Sequence, residues 1–196
     1  MSPERWSKAD TVLVGTFILL VALSLVAPQY KITTTTIFQN GGAPHSITVF
    51  YYVDNTKIKS SLGTDFSPYD STEGIGDVLA LEKLALACSL FLAWMFLIVL
   101  VFGTDMLRIT LGWMAMVGSV IAVAYPIVEI PGSLTIIDGF FGTAHEDLLT
   151  RSWSPSSGWY LTVIGTIFIG FVTLRRMNAH FKEPHAKKEE DDLPIG

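Results

Sequence analysis

Cys88 is the only cysteine in 196 residues. No internal disulfide can form, and any part of the chain outside a membrane must hold itself by packing and strand pairing. Cys88 lies within an apolar run and reads as a small buried apolar side chain. The chain has no phosphate-cradling glycine loop, no nucleophile elbow, no CxxC or CxxCH pair and no basic–aromatic pattern for nucleic acid. It also has no Asn-x-Ser/Thr sequon. Where the sequence is most apolar it is nearly free of ionisable groups, with no mid-run acid, histidine or arginine series. That absence argues against a proton pump, a voltage sensor and an ion-coupled transporter. The expectation is a protein that is not an enzyme, with no cofactor, no metal and no nucleic-acid partner.

What the chain does have is hydrophobic length. Half of its residues are apolar and its mean hydropathy is positive. The apolar residues gather in four runs, Thr11–Ala27, Val78–Phe102, Ile109–Val128 and Trp159–Leu174. A bilayer core is about 30 Å thick, so about 20 apolar residues in a helix cross it and roughly 17 suffice. The expected fold is therefore mainly α: a four-transmembrane-helix bundle with a small extracellular antiparallel β-sheet. The first run is read as a retained helix, because Leu25 and Pro28 flank the cut that a signal peptidase would make after Ala27.

Charge sets the expected orientation. With the N-terminus cytoplasmic, the inner side holds Arg5, Lys8, Arg108, Arg175, Arg176, Lys182, Lys187 and Lys188, many of them beside helix ends. The outer side holds only Lys31, Lys57, Lys59, Lys83 and Arg151. The positive-inside rule then predicts a multi-pass protein with both termini in the cytoplasm. The outer segments carry ten acids, Asp54, Asp65, Asp70, Glu73, Asp77, Glu82, Glu129, Asp138, Glu146 and Asp147. An acidic lobe of this kind is soluble and also steers cations.

On this layout residues 1–177 form the membrane domain, with a long outer loop at 28–77, a second outer loop at 129–158 and an inner turn at 103–108. Residues 178–196 are expected to be a disordered or frayed helical cytoplasmic tail. The first loop reads as β. Lys31–Phe38 is rich in β-branched residues, Asn40-Gly41-Gly42 is a turn signal, and Ser46–Lys59 alternates Val49, Tyr51 and Val53 against Phe50 and Tyr52. Three or four strands are expected there, Asp54-Asn55 turning the second run into two, with a returning loop from Gly63 to Gly76. A further strand is expected at Ser133–Ile137, and an edge left unpaired would invite another chain.

Two stripes of small residues mark helix-packing faces, Gly112, Ala115, Ser119 and Ala122 in the third run and Gly158, Thr162, Thr166 and Gly170 in the fourth. Small side chains let helices approach closely, either inside the bundle or against another subunit. Trp153, Trp159 and Tyr160 cluster where the last helix enters the outer leaflet, and Trp6 precedes the first helix. Amphipathic rings favour that depth, so all four read as membrane-interface anchors.

The compact trio His145, Glu146 and Asp147 is the one cluster with acid–base or metal-ligand chemistry. Adjacent residues do not all face one ion from a regular element, and the trio lacks the spacing of a helical metal pair. A site would need His45, Asp138 or Glu129 as well, and the plainer reading is a solvated loop.

One long β-rich outer loop, a short inner turn, a shorter second outer loop and two cytoplasmic termini together resemble the claudin-like tetraspan superfamily, which includes claudins, peripheral myelin protein and calcium-channel gamma-type subunits. The resemblance covers Thr11–Arg176 as layout. The first loop has no Trp and no Cys, so the family's Trp, Gly-Leu-Trp and paired-cysteine signature is absent and no functional residue is carried over. The resemblance implies a left-handed four-helix bundle under a small sheet, in proteins that act through lateral and extracellular contacts. The expected function is accordingly a non-enzymatic membrane interaction protein, self-assembling or an accessory subunit, whose partners are the bilayer and other membrane subunits or itself. The alternative is a small oligomeric channel or transporter with an acidic outer mouth. A membrane enzyme or metal site built on the second outer loop ranks last.

Overall fold

A computed structural model describes residues 8–37, 45–52, 56–60, 63–67, 75–141 and 148–191. In chain order the elements are α1 (Lys8–Val26), β1 (Tyr30–Ile37), β2 (His45–Tyr51), β3 (Thr56–Ser60), β4 (Gly63–Ser67), α2 (Ile75–Phe102), α3 (Asp105–Phe141), β5 (Leu148–Pro155) and α4 (Ser157–Asp191). Each of the four helices contains a stretch long and apolar enough to cross a membrane: Lys8–Val26, Asp77–Leu100, Met106–Pro131 and Ser157–His180. The chain has the layout of a tetraspan.

Each helix packs on its neighbours in the chain, and α1 also packs on α4, which closes the bundle. Val14, Phe17, Val21, Leu86, Phe96 and Leu100 are buried in its core with Ile169 and Val172. The outward faces are apolar too: Leu19, Phe91, Trp94, Ile98, Ile167 and Phe171 are exposed. A helix apolar on all sides is what a membrane span requires, in keeping with the length and composition of these four helices. Cys88 is exposed on α2, not buried as the sequence reading has it. Its run has exposed as well as buried positions, so apolar surroundings in sequence do not fix which side a residue takes.

The turn between α2 and α3 is tight. Gly103 N–H donates to the Val99 carbonyl at 2.7 Å, and a Cβ at Gly103 would run into the Val99 side chain. Arg108 Nε donates to the same carbonyl at 3.2 Å, adding positive charge to the C-terminal end of α2.

The five strands form one antiparallel sheet in the order β4-β3-β2-β1-β5. One face buries Tyr30, Ile32 and Tyr51 against Val78 and Leu79 of α2 and Ile130 of α3, with Val49, Trp153 and Trp159 packed around them. This second core ties the sheet to one end of the bundle.

Several boundaries differ from the sequence reading. Ser133–Ile137 is not a strand; α3 continues through it to Phe141. The fifth strand comes instead from Leu148–Pro155, which pairs with β1 along its whole length. β-propensity measures fit to a pleated, half-buried surface, and a run that extends an existing helix never meets one. Gly63–Ser67, expected within a returning loop, pairs with β3 as β4. α4 continues to Asp191, into the segment expected to be a disordered or frayed helical tail. Ala, Lys and Glu are good helix formers, and extending a helix avoids the cost of nucleating one. The turn signal at Asn40-Gly41-Gly42 lies outside the described residues.

Candidate functional site

The densest polar chemistry lies where the sheet meets the bundle. At the end of α1 the Ala27 N–H is shared between the Leu23 and Ser24 carbonyls at 3.2 and 3.3 Å, and Pro28 ends the helix. Gln29 follows, fully buried. Its N–H donates to the Tyr51 carbonyl and its own carbonyl accepts from Ser156 N–H, both at 2.7 Å. One residue therefore ties β2 to the start of α4. Its side-chain Nε2 donates to the Ser24 carbonyl, while Oε1 is buried with no hydrogen-bond partner among the described residues.

Gly158 explains why that amide fits. A Cβ there would lie 2.6 Å from Gln29 Nε2 and 2.9 Å from Oε1. The absence of a side chain at 158 serves the Gln29 amide rather than a partner helix. Gly158 N–H also donates to the Pro28 carbonyl at 2.9 Å.

Tyr30 points its hydroxyl at α2, donating to Glu82 Oε1 at 3.3 Å. Glu82 is only 2% exposed, and its Oε2 is buried without a hydrogen-bond partner among the described residues. Burial, then the adjacent Glu82, pushes the Tyr30 hydroxyl well above the usual phenol range, so it stays a neutral donor. Trp153 lies against Tyr30 with ring centroids 6.4 Å apart. Trp159 Nε1 donates to the Val123 carbonyl at 3.0 Å. That carbonyl sits three residues before Pro126, next to the Ala122 carbonyl that the missing Pro126 N–H deprives of its ladder donor.

A second polar cluster sits at the opposite end of the bundle. Asp10 of α1 is fully buried and accepts from Arg175 Nη1 at 3.2 Å and from Arg176 Nη2. Arg176 is nearly buried and Arg175 is half exposed. The pair clamps the start of α1 to α4.

The small-residue stripes lie inside the bundle. Ala115, Ser119 and Ala122 are buried on α3, and Thr162 is buried on α4 with Thr166 half-buried. A Cβ at Gly112 would lie 2.6 Å from Thr173 Oγ1 of α4, and one at Gly170 would lie 3.4 Å from the Met116 sulfur of α3. Ser89 Oγ on α2 donates to the Ala115 carbonyl at 2.7 Å, joining the hairpin helices. Of the aromatic residues read as interface anchors, Trp153 and Trp159 are built into the junction, Tyr160 is exposed, and Trp6 lies outside the described residues. Tyr160 meets Trp159 edge-on, with centroids 5.1 Å apart.

The trio His145, Glu146 and Asp147 lies outside the described residues. Among the described residues no three His, Cys, Asp or Glu side chains gather around a common point. Glu129 and Lys83 are exposed on their helices.

Asp10, Gln29 and Tyr30 were not singled out from sequence. For Asp10 a signal exists: an acid stands just before the first apolar run and two arginines just after the last, at ends that adjoin when α1 and α4 run antiparallel. Gln29 and Tyr30 carry no comparable local mark. The sequence matches no protein-family model and no curated protein.

Proposed function

We propose that this is a non-enzymatic multi-pass membrane protein that works by contact, self-assembling or serving as an accessory subunit, with the sheet outside and both termini in the cytoplasm. The observation that carries the reading is the junction. A five-stranded sheet is fixed to four spanning helices through a shared core and through the backbone bonds of Gln29. A sheet held this firmly at one end of a bundle suits presentation to a partner.

The small-residue stripes are used within the chain, so the sheet is the better-supported contact surface, ahead of the helix faces. Orientation follows from charge: Lys8, Arg108, Arg175 and Arg176 all belong to the end away from the sheet. The tetraspan layout keeps the resemblance to claudin-like proteins as a reading of architecture.

The test is site-specific photo-crosslinking in the native membrane. A crosslinker at Ser46, exposed on β2, is expected to capture one defined polypeptide in stoichiometric yield, whether a second copy or a foreign subunit. A crosslinker at Phe91, exposed on α2, is expected to capture lipid. Capture only from Phe91 would move the contact to the helices and contradict the reading.

One observation favours the channel reading. Glu82 is a buried carboxyl, near one end of a spanning helix, with one oxygen that has no hydrogen-bond partner among the described residues. Cation conductance in liposomes that disappears when Glu82, Glu129 and Asp138 are neutralised would support a pore; conductance indifferent to those changes would remove it.

A further inference from the structure

An acid buried away from water needs a cation, a set of hydrogen-bond donors or a proton, because an unpaired carboxylate is costly in apolar surroundings. Two acids are buried among the described residues, Asp10 and Glu82. Asp10 has its cations in Arg175 and Arg176. Glu82 has one donor, the Tyr30 hydroxyl at 3.3 Å from Oε1, and its Oε2 has no hydrogen-bond partner among the described residues.

The surroundings offer Glu82 little else. Around Tyr30 the junction core is aromatic and aliphatic: Tyr51 and Trp153 of the sheet, Leu79 of α2, Tyr125 and Ile130 of α3, and Trp159 of α4. Its two other phenols, Tyr51 and Tyr125, carry no charge near neutral pH. The charged groups on the elements packed there lie apart. Asp77 and Lys83 of α2 and Glu129 of α3 are exposed. Lys31 is exposed and falls on the face opposite Tyr30 and Ile32. Arg151 pairs with Thr34, on the packed side but four strand residues from Tyr30, about 13 Å along the sheet. His45 pairs with Thr36, farther still. Asp65 falls on the packed side three strands from β1. From Thr11 to Val26 in α1 and from Ser157 to Leu174 in α4 there is no acid, lysine, arginine or histidine.

The place of Glu82 gives its proton a consequence. Tyr30 is the first residue of β1, and β1 pairs with both β2 and β5. Glu82 meets that residue from α2, so its charge state acts where the sheet is seated on the bundle.

We infer that Glu82 is a proton-binding group that sets how firmly the sheet is held on the bundle: with its proton the junction closes, and without it the sheet loosens. The inference rests on the junction alone and stands whether or not the sheet meets a partner. The sign follows from linkage. An exposed glutamate is ionised above about pH 4.3, so opening the junction above that pH releases a proton. The closed junction therefore weakens by up to about tenfold for each further pH unit, until the closed form itself ionises. It is favoured at low pH and lost as the pH rises.

The experiment uses the full chain in phosphatidylcholine nanodiscs. Amide exchange of β1 is followed from about pH 5 to about pH 8 and corrected for the chemical rate of exchange. Wild-type β1 is expected to lose protection across that interval by about tenfold or more relative to Glu82→Gln. Glu82→Gln keeps the shape and stays neutral, so its corrected protection is expected to be flat with pH. Peptides of α1 are expected to behave alike in both proteins. Infrared difference spectra are expected to show a protonated carboxyl band at low pH that Glu82→Gln lacks. Where Glu82→Gln folds poorly, Glu82→Met, neutral and of similar length, serves the same comparison. An equal pH dependence of β1 protection in wild type and the neutral variants would overturn the inference. So would the same infrared carboxyl bands in wild type and variant throughout the interval. Neither result touches the crosslinking test at Ser46.

Discussion

Tyr30 joins sheet and bundle through a single phenol. It is buried in the junction core, and its hydroxyl is the described donor to Glu82. Tyr30→Phe keeps the ring and leaves a buried carboxyl without that donor, which costs about 1–3 kcal/mol. Denaturation in a mild detergent is expected to show that loss near neutral pH. The pH dependence has a definite sign. In the unfolded chain the phenol loses its proton near pH 10, whereas burial and Glu82 raise that threshold in the folded protein. The folded state then binds more protons above about pH 10, so this contribution to stability is complete below that pH and is lost as pH rises through it. Wild type and Tyr30→Phe should therefore converge in stability as the pH is raised past about 10. A gap that stays constant would show that the phenol is not buried as described.

Gly158 and Gly165 test close approach at the same scale. A Cβ at 158 meets the Gln29 amide below 3.0 Å, and one at 165 lies 3.1 Å from the Phe17 ring. Gly165→Leu is expected to separate α1 from α4 and lower the melting temperature by several degrees, since overpacking typically costs about 1–3 kcal/mol. Unchanged melting would mean that this glycine faces lipid.

Among the elements, α1 and α4 depend on each other most visibly. Asp10 is fully buried, so Asp10→Asn leaves the nearly buried Arg176 facing a neutral amide. Removing one partner of a buried ion pair costs about 3–5 kcal/mol, and Arg175, half exposed, contributes the smaller part. The variant should unfold in detergent well before the wild type. A stability change under about 1 kcal/mol would indicate that water reaches the cluster.

The same scale shows what could be read in advance. The four spans were legible because each is a continuous apolar run, and a bilayer demands such runs whatever they pack against. The first three strands were legible from β-branched residues and from the alternation around Val49 and Tyr51. β5 was not, because Leu148–Pro155 becomes a strand through pairing with β1, more than a hundred residues away in sequence. Its Trp153 gave the signal of an interfacial anchor, which a tryptophan at a sheet–bundle junction also gives. The ends of α3 and α4 were missed because each leaves its apolar window as a continuing helix, and hydropathy reports the window only. The junction was the least legible part. Gln29 and Tyr30 acquire their roles from Gly158 and Glu82, which the chain reaches only after folding back.

At the level of the whole molecule, the two ends differ in construction. One end is a buried carboxylate gripped by arginines, and the other is a five-stranded sheet seated on an apolar and polar junction. The most direct measurement is the native mass of the complex after gentle extraction from its own membrane, with every component identified. The account predicts an assembly, either several copies of this chain or this chain with stoichiometric foreign subunits, that dissociates when the sheet is altered at Ser46. A bare monomer that remains monomeric at its native abundance would contradict it.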